Sequence, residues 1–584
     1  MKYSKRKEVM NQVSWSDGFA QDNYYGLEHS FQYSENINCD DELHWIKLST
    51  KADFSKYLPG CQLIEAWNKV FAFPLLNGWK IYYFDKNNWD GIPWTSWGPT
   101  AVSWVTIPAP GSIPWWDITT STGTTFQNHL WFGVYVWNPN ESVNGFLTIP
   151  LNNGVGTATT YIPYDHSDFT DESILTPSSV NPMVNTVTYI LNFNNSRLIV
   201  ASWNELRCYY PELDRSNPQS PFYNNSAVPG QTWWKKIQTY WWWQYIIGLT
   251  CTFEYLKVWV QDWNFSSTKV FYYQWNDDFR STFVYNQVDL KNIKVMRVYS
   301  INGIDYYTES LDGTDWFVSF NKLIGSTPVQ IFTRKGWLVP EDIFWKAWYF
   351  IWPTSLDASY INGDFYLADA HWVFKFKYNP SWKDVWYLKR KLNNIKRNVV
   401  WLAICQNYLY VSYWNGSGAS DYGWVYRMRL YDTGEDGYQS TWFLISRELE
   451  GKSFQWCFTK ILDEIRLNYE LNHLIWDNAN WSIEVFVSPN NTRTDTNPSW
   501  DGSDWWYKVM EIDGDMKNTR TQISHLLNNY TNQNWETWME FDRQTITYLI
   551  KITQWSNQQA TPIVREIQLW YHTKWKTNEI YDLQ

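Results

Sequence analysis

Apolar and polar residues alternate in short runs along nearly all of this 584-residue chain, and Asn, Asp, Gly or Pro bounds most runs. A period of two predicts β-strands, and no long 3.6-period stretch competes with it. Two neighbouring units align. One has a strand at Ser355–Tyr360, a turn at Asn362-Gly363, a strand at Phe365–Ala368, and a third strand at Val373–Tyr378 after Trp372. The other has a strand at Val399–Ile404, a turn at Gln406-Asn407, a strand at Tyr408–Tyr413, and a third at Val425–Leu430 after Trp424.

The slot before the third strand can be followed back through Trp316, Trp263, Trp203, Gly145 and Trp79. Positions 79, 145, 203, 263, 316, 372 and 424 lie 66, 58, 60, 53, 56 and 52 residues apart. A repeat of this length built from short antiparallel strands marks a propeller array, whose closure removes exposed sheet edges. The predicted fold is all-β, with a β-propeller of about seven blades followed by a C-terminal β-sandwich. Counts of six and eight also fit the spacing. Three regions follow: an N-terminal extension over 1–55, the propeller over 56–445, and the sandwich over 446–584. The sandwich would hold strands at Ser482–Val487, Tyr507–Ile512, Thr545–Ile552 and Ile563–Tyr571, with a polar insertion at Asn490–Asp504.

Composition changes this picture in one respect. The chain has 44 Trp, more than its 30 Phe or 41 Tyr, and only 27 Gly. Trp is normally placed sparingly, where the ring is buried and its N–H satisfied. Here it occurs as the run Trp241-Trp242-Trp243, as the doublets Trp115-Trp116, Trp233-Trp234 and Trp505-Trp506, and after Asn or Asp at Trp89, Trp263 and Trp481. Turn slots after Asn or Asp favour Gly, which adopts positive φ without strain. At the repeat slot Gly145 stands where the other copies have Trp. These observations suggest that most Trp positions are Gly in the native protein, as in a lineage that reads UGA as glycine. The competing reading is a truly Trp-rich protein that grips sugars on aromatic platforms.

Charge is 59 acidic against 48 basic residues, net −11. This argues against a broadly basic nucleic-acid binder and against a disordered polyelectrolyte. No run of about 18 apolar residues occurs, so no membrane span is expected. The start, MKYSKRKEVMNQ, has charges with no apolar core behind them, so no secretory signal is expected. The eight His show no metal-site spacing, and the six Cys form no CxxC, so reduced thiols are expected. Ser310–Trp316 resembles the Asp-box of sialidases, but it is misspaced and occurs once; a hairpin turn is the better reading. The acidic turns Asp432–Gly437 and Asp513–Asp515 lack a full Ca²⁺ ligand ladder. No catalytic, cofactor-binding or metal-binding residue is therefore assigned, and no cofactor is expected. Two basic clusters stand out, Lys2-Lys5-Arg6-Lys7 and Lys389-Arg390-Lys391 with Lys396-Arg397. Each is either a solvated loop or a docking surface for an acidic partner.

The runs Gly18–Gly26, Phe31–Ile37 and Pro562–Leu569, with the repeated hairpins between them, resemble virion structural proteins of tailed bacteriophages, of the β-propeller kind found in tails and adsorption apparatus. The resemblance implies a non-enzymatic protein of a multi-copy virion assembly, built in the host cytoplasm. Its partners would be other virion proteins and a host surface glycan or receptor. A propeller lectin or sialidase-like glycosidase is the alternative. Converging carboxylates at the centre of the ring would favour the glycosidase.

Overall fold

The computed structural model describes the strands between Glu8 and Trp575 and most of the tight turns joining them. The longer connections, among them 85–102, 107–117, 166–180, 210–233, 335–356, 489–506 and 527–539, lie outside the described residues, as do both chain ends. Every described element is a strand.

Seven four-stranded antiparallel sheets follow one another. Blade 1 is Cys61–Ala66, Lys69–Pro74, Lys80–Phe84 and Ser103–Thr106. Blade 2 is Ile118–Phe126, His129–Val136, Asn144–Pro150 and Thr159–Tyr161. Blade 3 is Val187–Phe193, Arg197–Ser202, Glu205–Tyr209 and Trp234–Thr239. Blade 4 is Gln244–Cys251, Tyr255–Asp262, Ser267–Gln274 and Val284–Lys291. Blade 5 is Lys294–Ile301, Ile304–Ser310, Val318–Ile324 and Thr327–Arg334. Blade 6 is Asp357–Ile361, Asp364–Ala368, Trp372–Lys377 and Val385–Lys391. Blade 7 is Asn398–Cys405, Tyr408–Trp414 and Gly423–Arg429, completed by Asp53–Tyr57 from the N-terminal side.

The first strand of each blade touches the first strand of the next, and blade 7 returns to blade 1, so the ring is closed. The seam is packed. Cys61, Leu63, Val70, Ala72 and Phe84 of blade 1 share one core with Ala403, Cys405, Tyr408, Tyr410 and Val425 of blade 7. The Cys61 amide donates to Ser412 Oγ across it at 3.0 Å. The repeat slots at 79, 145, 203, 263, 316, 372 and 424 fall within or just before the third strands of the seven blades, as the period requires.

Of the remaining strands, Tyr164–Asp165 pairs with Asn181–Pro182, and the others form two seven-stranded sheets. The first runs Ile37–Asn38, Ile46–Leu48, Pro562–Trp575, Phe458–Leu471, Arg520–Leu526; Glu8–Gln12 pairs with Pro562–Trp575, and Glu540–Phe541 with Phe458–Leu471. The second runs Gly18–Phe19, Ser30–Glu35, Thr441–Ser446, Thr545–Gln554, Trp481–Ser488, Tyr507–Asp513, with Leu449–Glu450 on Thr545–Gln554. Side chains join the two sheets. Tyr548 Oη donates to Gln12 Oε1 at 2.6 Å, and Tyr469 meets Trp481 edge-on at 5.7 Å.

This arrangement corrects the expected region boundaries. The 1–55 segment is no separate extension: its strands complete both sheets of the sandwich, and Asp53–Tyr57 closes the propeller. Thr441–Ser446, placed in the propeller by the repeat, lies in the second sheet. The propeller is thus inserted between Leu48 and Thr441 of a sandwich built by both termini. The physical reason is burial. Met10, Phe31, Ile37, Ile46 and Leu48 are buried, yet they sit on strands of two to six residues that cannot form an independent core. Pairing partners more than 400 positions away leave no local mark in a sequence.

Several tyrosines lie in or against the propeller core, and their phenols resist ionisation. Burial pushes Tyr82, Tyr272 and Tyr273 up to about 12, and raises Tyr240, which is hydrogen-bonded to Tyr273 at 2.8 Å. A phenol whose folded pKa exceeds its unfolded value near 10 stabilises the fold below that value and loses the contribution as pH rises toward the folded one. Stability should therefore fall between about pH 10 and 12. Spectrophotometric titration is expected to show one tyrosine class ionising normally and a second ionising only as near-UV circular dichroism is lost.

Candidate functional site

The ring geometry first fixes what reaches its axis. In five blades the innermost strand carries a β-bulge against the second strand, between Thr120 and Gly123, Val187 and Tyr189, Ile246 and Gly248, Val295 and Arg297, and Val399 and Trp401. A bulge bends its strand and re-aims the following side chain. In blades 3, 5 and 7 that residue is Tyr189, Arg297 and Trp401. The Arg297 guanidinium lies 3.8 Å from the centre of the Trp401 ring, although blade 6 separates their blades along the chain. Innermost strands of non-adjacent blades can touch only across the axis. Tyr189 of blade 3 also feels the Arg297 charge; burial raises its phenol and the guanidinium opposes the rise. The axis is therefore occupied by a cation held on an aromatic face, an arrangement worth about 0.5–2 kcal/mol. Among the described residues no carboxylate pair converges there.

In blades 2 and 4 the post-bulge residue is Gly. A Cβ at Gly123 would sit 2.6 Å from Ile64 Cδ1 of blade 1, and one at Gly248 would sit 3.0 Å from Val298 of blade 5. Close blade-to-blade approach requires Gly at both positions.

A second feature lies where blades 3 and 4 meet. Trp203 occupies the turn after Arg197–Ser202, and its carbonyl accepts from Ile246 N at 2.9 Å. Trp241–Gln244 form a turn closed by Gln244 N to Trp241 O at 2.9 Å, and Trp263 N donates to Trp243 O at 2.6 Å. The rings gather accordingly. Trp241 stacks on Trp243 at 5.0 Å and 9°, while Trp203 stacks on Tyr245 at 5.6 Å and lies 5.7 Å from Trp263. Trp241, Trp242 and Trp263 are 65, 78 and 59% exposed. The neighbouring carboxylate, Asp262, accepts from Gln244 Nε2 and Ser267 Oγ at 2.9 and 2.8 Å and so holds the turn.

One buried ion pair joins blades 4 and 5. Lys257 Nζ donates to Asp305 Oδ2 at 2.8 Å, with both side chains almost wholly enclosed. Burial pushes the Asp305 carboxyl up, and the lysine works against that rise. The pair fastens two blades and lines no opening to solvent.

The other sequence candidates are placed as follows. Lys389, Arg390 and Lys391 belong to the outer strand of blade 6, which lies against Gly18–Phe19 and Ser30–Glu35 of the sandwich. That segment is a junction between the two halves of the chain. Lys2, Lys5, Arg6, Lys7, Lys396, Arg397 and the acidic turn 432–437 lie outside the described residues. Ser310 ends a blade 5 strand, and 311–317 are outside the description. His129 Nδ1 lies 2.9 Å from Gln127 O in a turn. Cys39, Cys61, Cys208 and Cys405 are buried, and Cys251 is half-buried. No metal-ligating cluster occurs among the described residues, and no described helix is long and apolar enough to cross a membrane. Sequence reading missed the axial trio; the signal was a Tyr, Arg or Trp one residue past an inner-strand bulge, visible only once register is known.

No family model matches this chain, and no curated protein does. Among solved structures it is similar to the N-terminal domain of Nup159, at 9% identity and TM-score 0.32, covering 73% of this chain and 97% of that one. It is also similar to the β-propeller domain of the Trilobed protease from Pyrococcus furiosus, at 9% identity and TM-score 0.31, covering 58% and 94%. A third similarity is to a prolyl endopeptidase structure, at 9% identity and TM-score 0.33, covering 67% of this chain and 53% of that one. The chain is all-β and contains a seven-bladed β-propeller.

Proposed function

We propose that this protein is a non-enzymatic contact scaffold of a tailed-phage virion, in the tail or adsorption apparatus. The observation that carries the reading is the insertion of a closed propeller into a sandwich made by both termini. Strands from both sides of the propeller build the sandwich, and the propeller lies between Leu48 and Thr441 in the chain. A closed ring presents loops on a rigid frame, where they tolerate variation without loss of the fold. The axis supports the same reading, because among the described residues it presents Tyr189, Arg297 and Trp401 and no carboxylate pair of the kind glycoside hydrolysis uses.

One observation favours the lectin alternative: the exposed Trp241, Trp242, Trp243 and Trp263, with the half-buried Trp203, have the form of a stacking platform. That platform requires Trp at each position in the native protein. Mass-spectrometric inventory of gradient-purified particles from the host culture tests the main reading. Peptides of this chain in constant ratio to other particle proteins are expected. Their absence from intact particles, with the protein recovered free and binding glycans, would establish the alternative.

A further inference from the structure

We propose that the native protein carries Gly at 67 and 203 and in the exposed group 241–243 and 263, and Trp at 131, 259 and 401. The junction of blades 3 and 4 is then a surface of glycine turns and offers no aromatic platform. This rests on the decoding of UGA as glycine and extends it from composition to individual positions.

Backbone conformation carries positions 67 and 203, and exposure carries 241–243 and 263. The pairs Ala66–Lys69, Phe126–His129, Ile301–Ile304, Ile361–Asp364 and Cys405–Tyr408 each close a two-residue turn between the first and second strands of a blade. Tight turns of this kind need positive φ at the first central residue, and in type I′ at both. Gln127 and Asn128 have φ of 47° and 61°, Gln406 has 50°, and Gly303 has 79°. In blade 1 the central residues are Trp67 at 55° and Asn68 at 57°. In blade 3 the turn closed by Ser202 and Glu205 begins with Trp203 at 54°. Positive φ is uncommon outside Gly, Asn and Asp, and for a bulky residue it is a true outlier. Trp67 is also half exposed, and Trp241–Trp243 and Trp263 place indoles in solvent, so burial gives these rings little reason to be there.

Register carries the second half. Counting from the residue after the first turn, the fifth position reads Phe73, Gly133, Ala201, Trp259, Thr308, Ala368 and Ser412. Its cross-strand partner is Tyr189 for Ala201, Arg297 for Thr308 and Trp401 for Ser412. Small faces large in each pair. In blade 4 the order is reversed, with Trp259 opposite Gly248. Trp259 stands across from Gly248, where Val298 of blade 5 takes the space a side chain would need; it lies 5.5 Å from Tyr307 and points Nε1 toward Thr250 Oγ1 at 3.4 Å. Glycine at 259 would leave two glycines face to face and a void in the core shared with Val270, Leu290 and Val295. Trp401 supplies the face on which Arg297 rests. At the third position Trp131 stands with Phe71, Tyr306, Tyr366 and Tyr410, and it is buried.

The test reads codons and peptide masses together on protein from the native host. Codons 67, 203, 241–243 and 263 are expected to be UGA, with peptides lighter by one Trp-to-Gly replacement at each. Codons 131, 259 and 401 are expected to be UGG, with Trp masses. A Trp mass at 67 or 203 overturns the first half; a Gly mass at 259 or 401 overturns the second. Gly at 67 and 203 in a protein absent from particles would sink the virion reading and leave this one standing. As an independent readout, Trp67→Gly and Trp203→Gly are expected to raise the melting temperature of the literal chain, whereas Trp259→Gly lowers it.

Discussion

Deleting residues 1–49 is expected to unfold the sandwich and leave the propeller intact. The deletion removes Met10, Phe31, Ile37, Ile46 and Leu48, all buried, and the Gln12 acceptor of the buried Tyr548 hydroxyl. It also removes the Leu48 amide that donates to Thr561 Oγ1 at 3.0 Å. Each large buried apolar side chain contributes about 2–5 kcal/mol, so five together contribute about 10–25 kcal/mol, as much as or more than the roughly 5–15 kcal/mol that separates a domain from its unfolded state. Strand Asp53–Tyr57 survives the deletion, so the ring can still close. Limited proteolysis of the truncated chain should digest 441–575 rapidly and leave a resistant core from about residue 50 to 432, with cooperative melting. Full protection of 441–575 would mean that the N-terminal strands are dispensable to the sandwich.

Asp305→Ala is expected to cost about 3–5 kcal/mol, because it strands the Lys257 ammonium inside the blade 4 and blade 5 junction. The loss reflects an uncompensated buried charge and not the net worth of the pair. Replacing both partners by apolar residues, as in Lys257→Met with Asp305→Leu, should therefore recover most of it. Urea unfolding of the two variants beside the parent measures both effects. Equal loss in the single and double variants would show that packing, not charge, sets the cost.

Much of the propeller was legible because its information is local. Hairpins such as Ile361–Asp364 join neighbours in sequence, and their turn residues and alternation repeat at a readable period. That is why the seven slots found by spacing each fall within, or up to four residues before, a third strand. The sandwich was only half legible. Trp481–Ser488, Tyr507–Asp513, Thr545–Gln554 and Pro562–Trp575 are long enough to show their alternation. Gly18–Phe19, Ile37–Asn38 and Ile46–Leu48 are too short to show any; the first two pair with Ser30–Phe31 and Lys47–Leu48, and Ile46–Leu48 is tied to Pro562–Trp575 more than 500 positions away. The axial site was not legible. Tyr189, Arg297 and Trp401 are aimed by bulges, and a bulge shifts register by a residue that sequence spacing cannot distinguish from an ordinary strand position. The Trp anomaly occupies both levels: composition exposed it, and dihedral angles with register sort it position by position.

The central claim is that a closed seven-bladed ring is inserted into a sandwich shared by both termini. Single-particle cryo-electron microscopy of the natively expressed protein, at a resolution that traces side chains, tests it directly. The account predicts seven blades, with Asp53–Tyr57 forming the outer strand of the last and Glu8–Gln12 paired to Pro562–Trp575. A ring of six or eight blades, or an N-terminal segment detached from the C-terminal sheets, would contradict it.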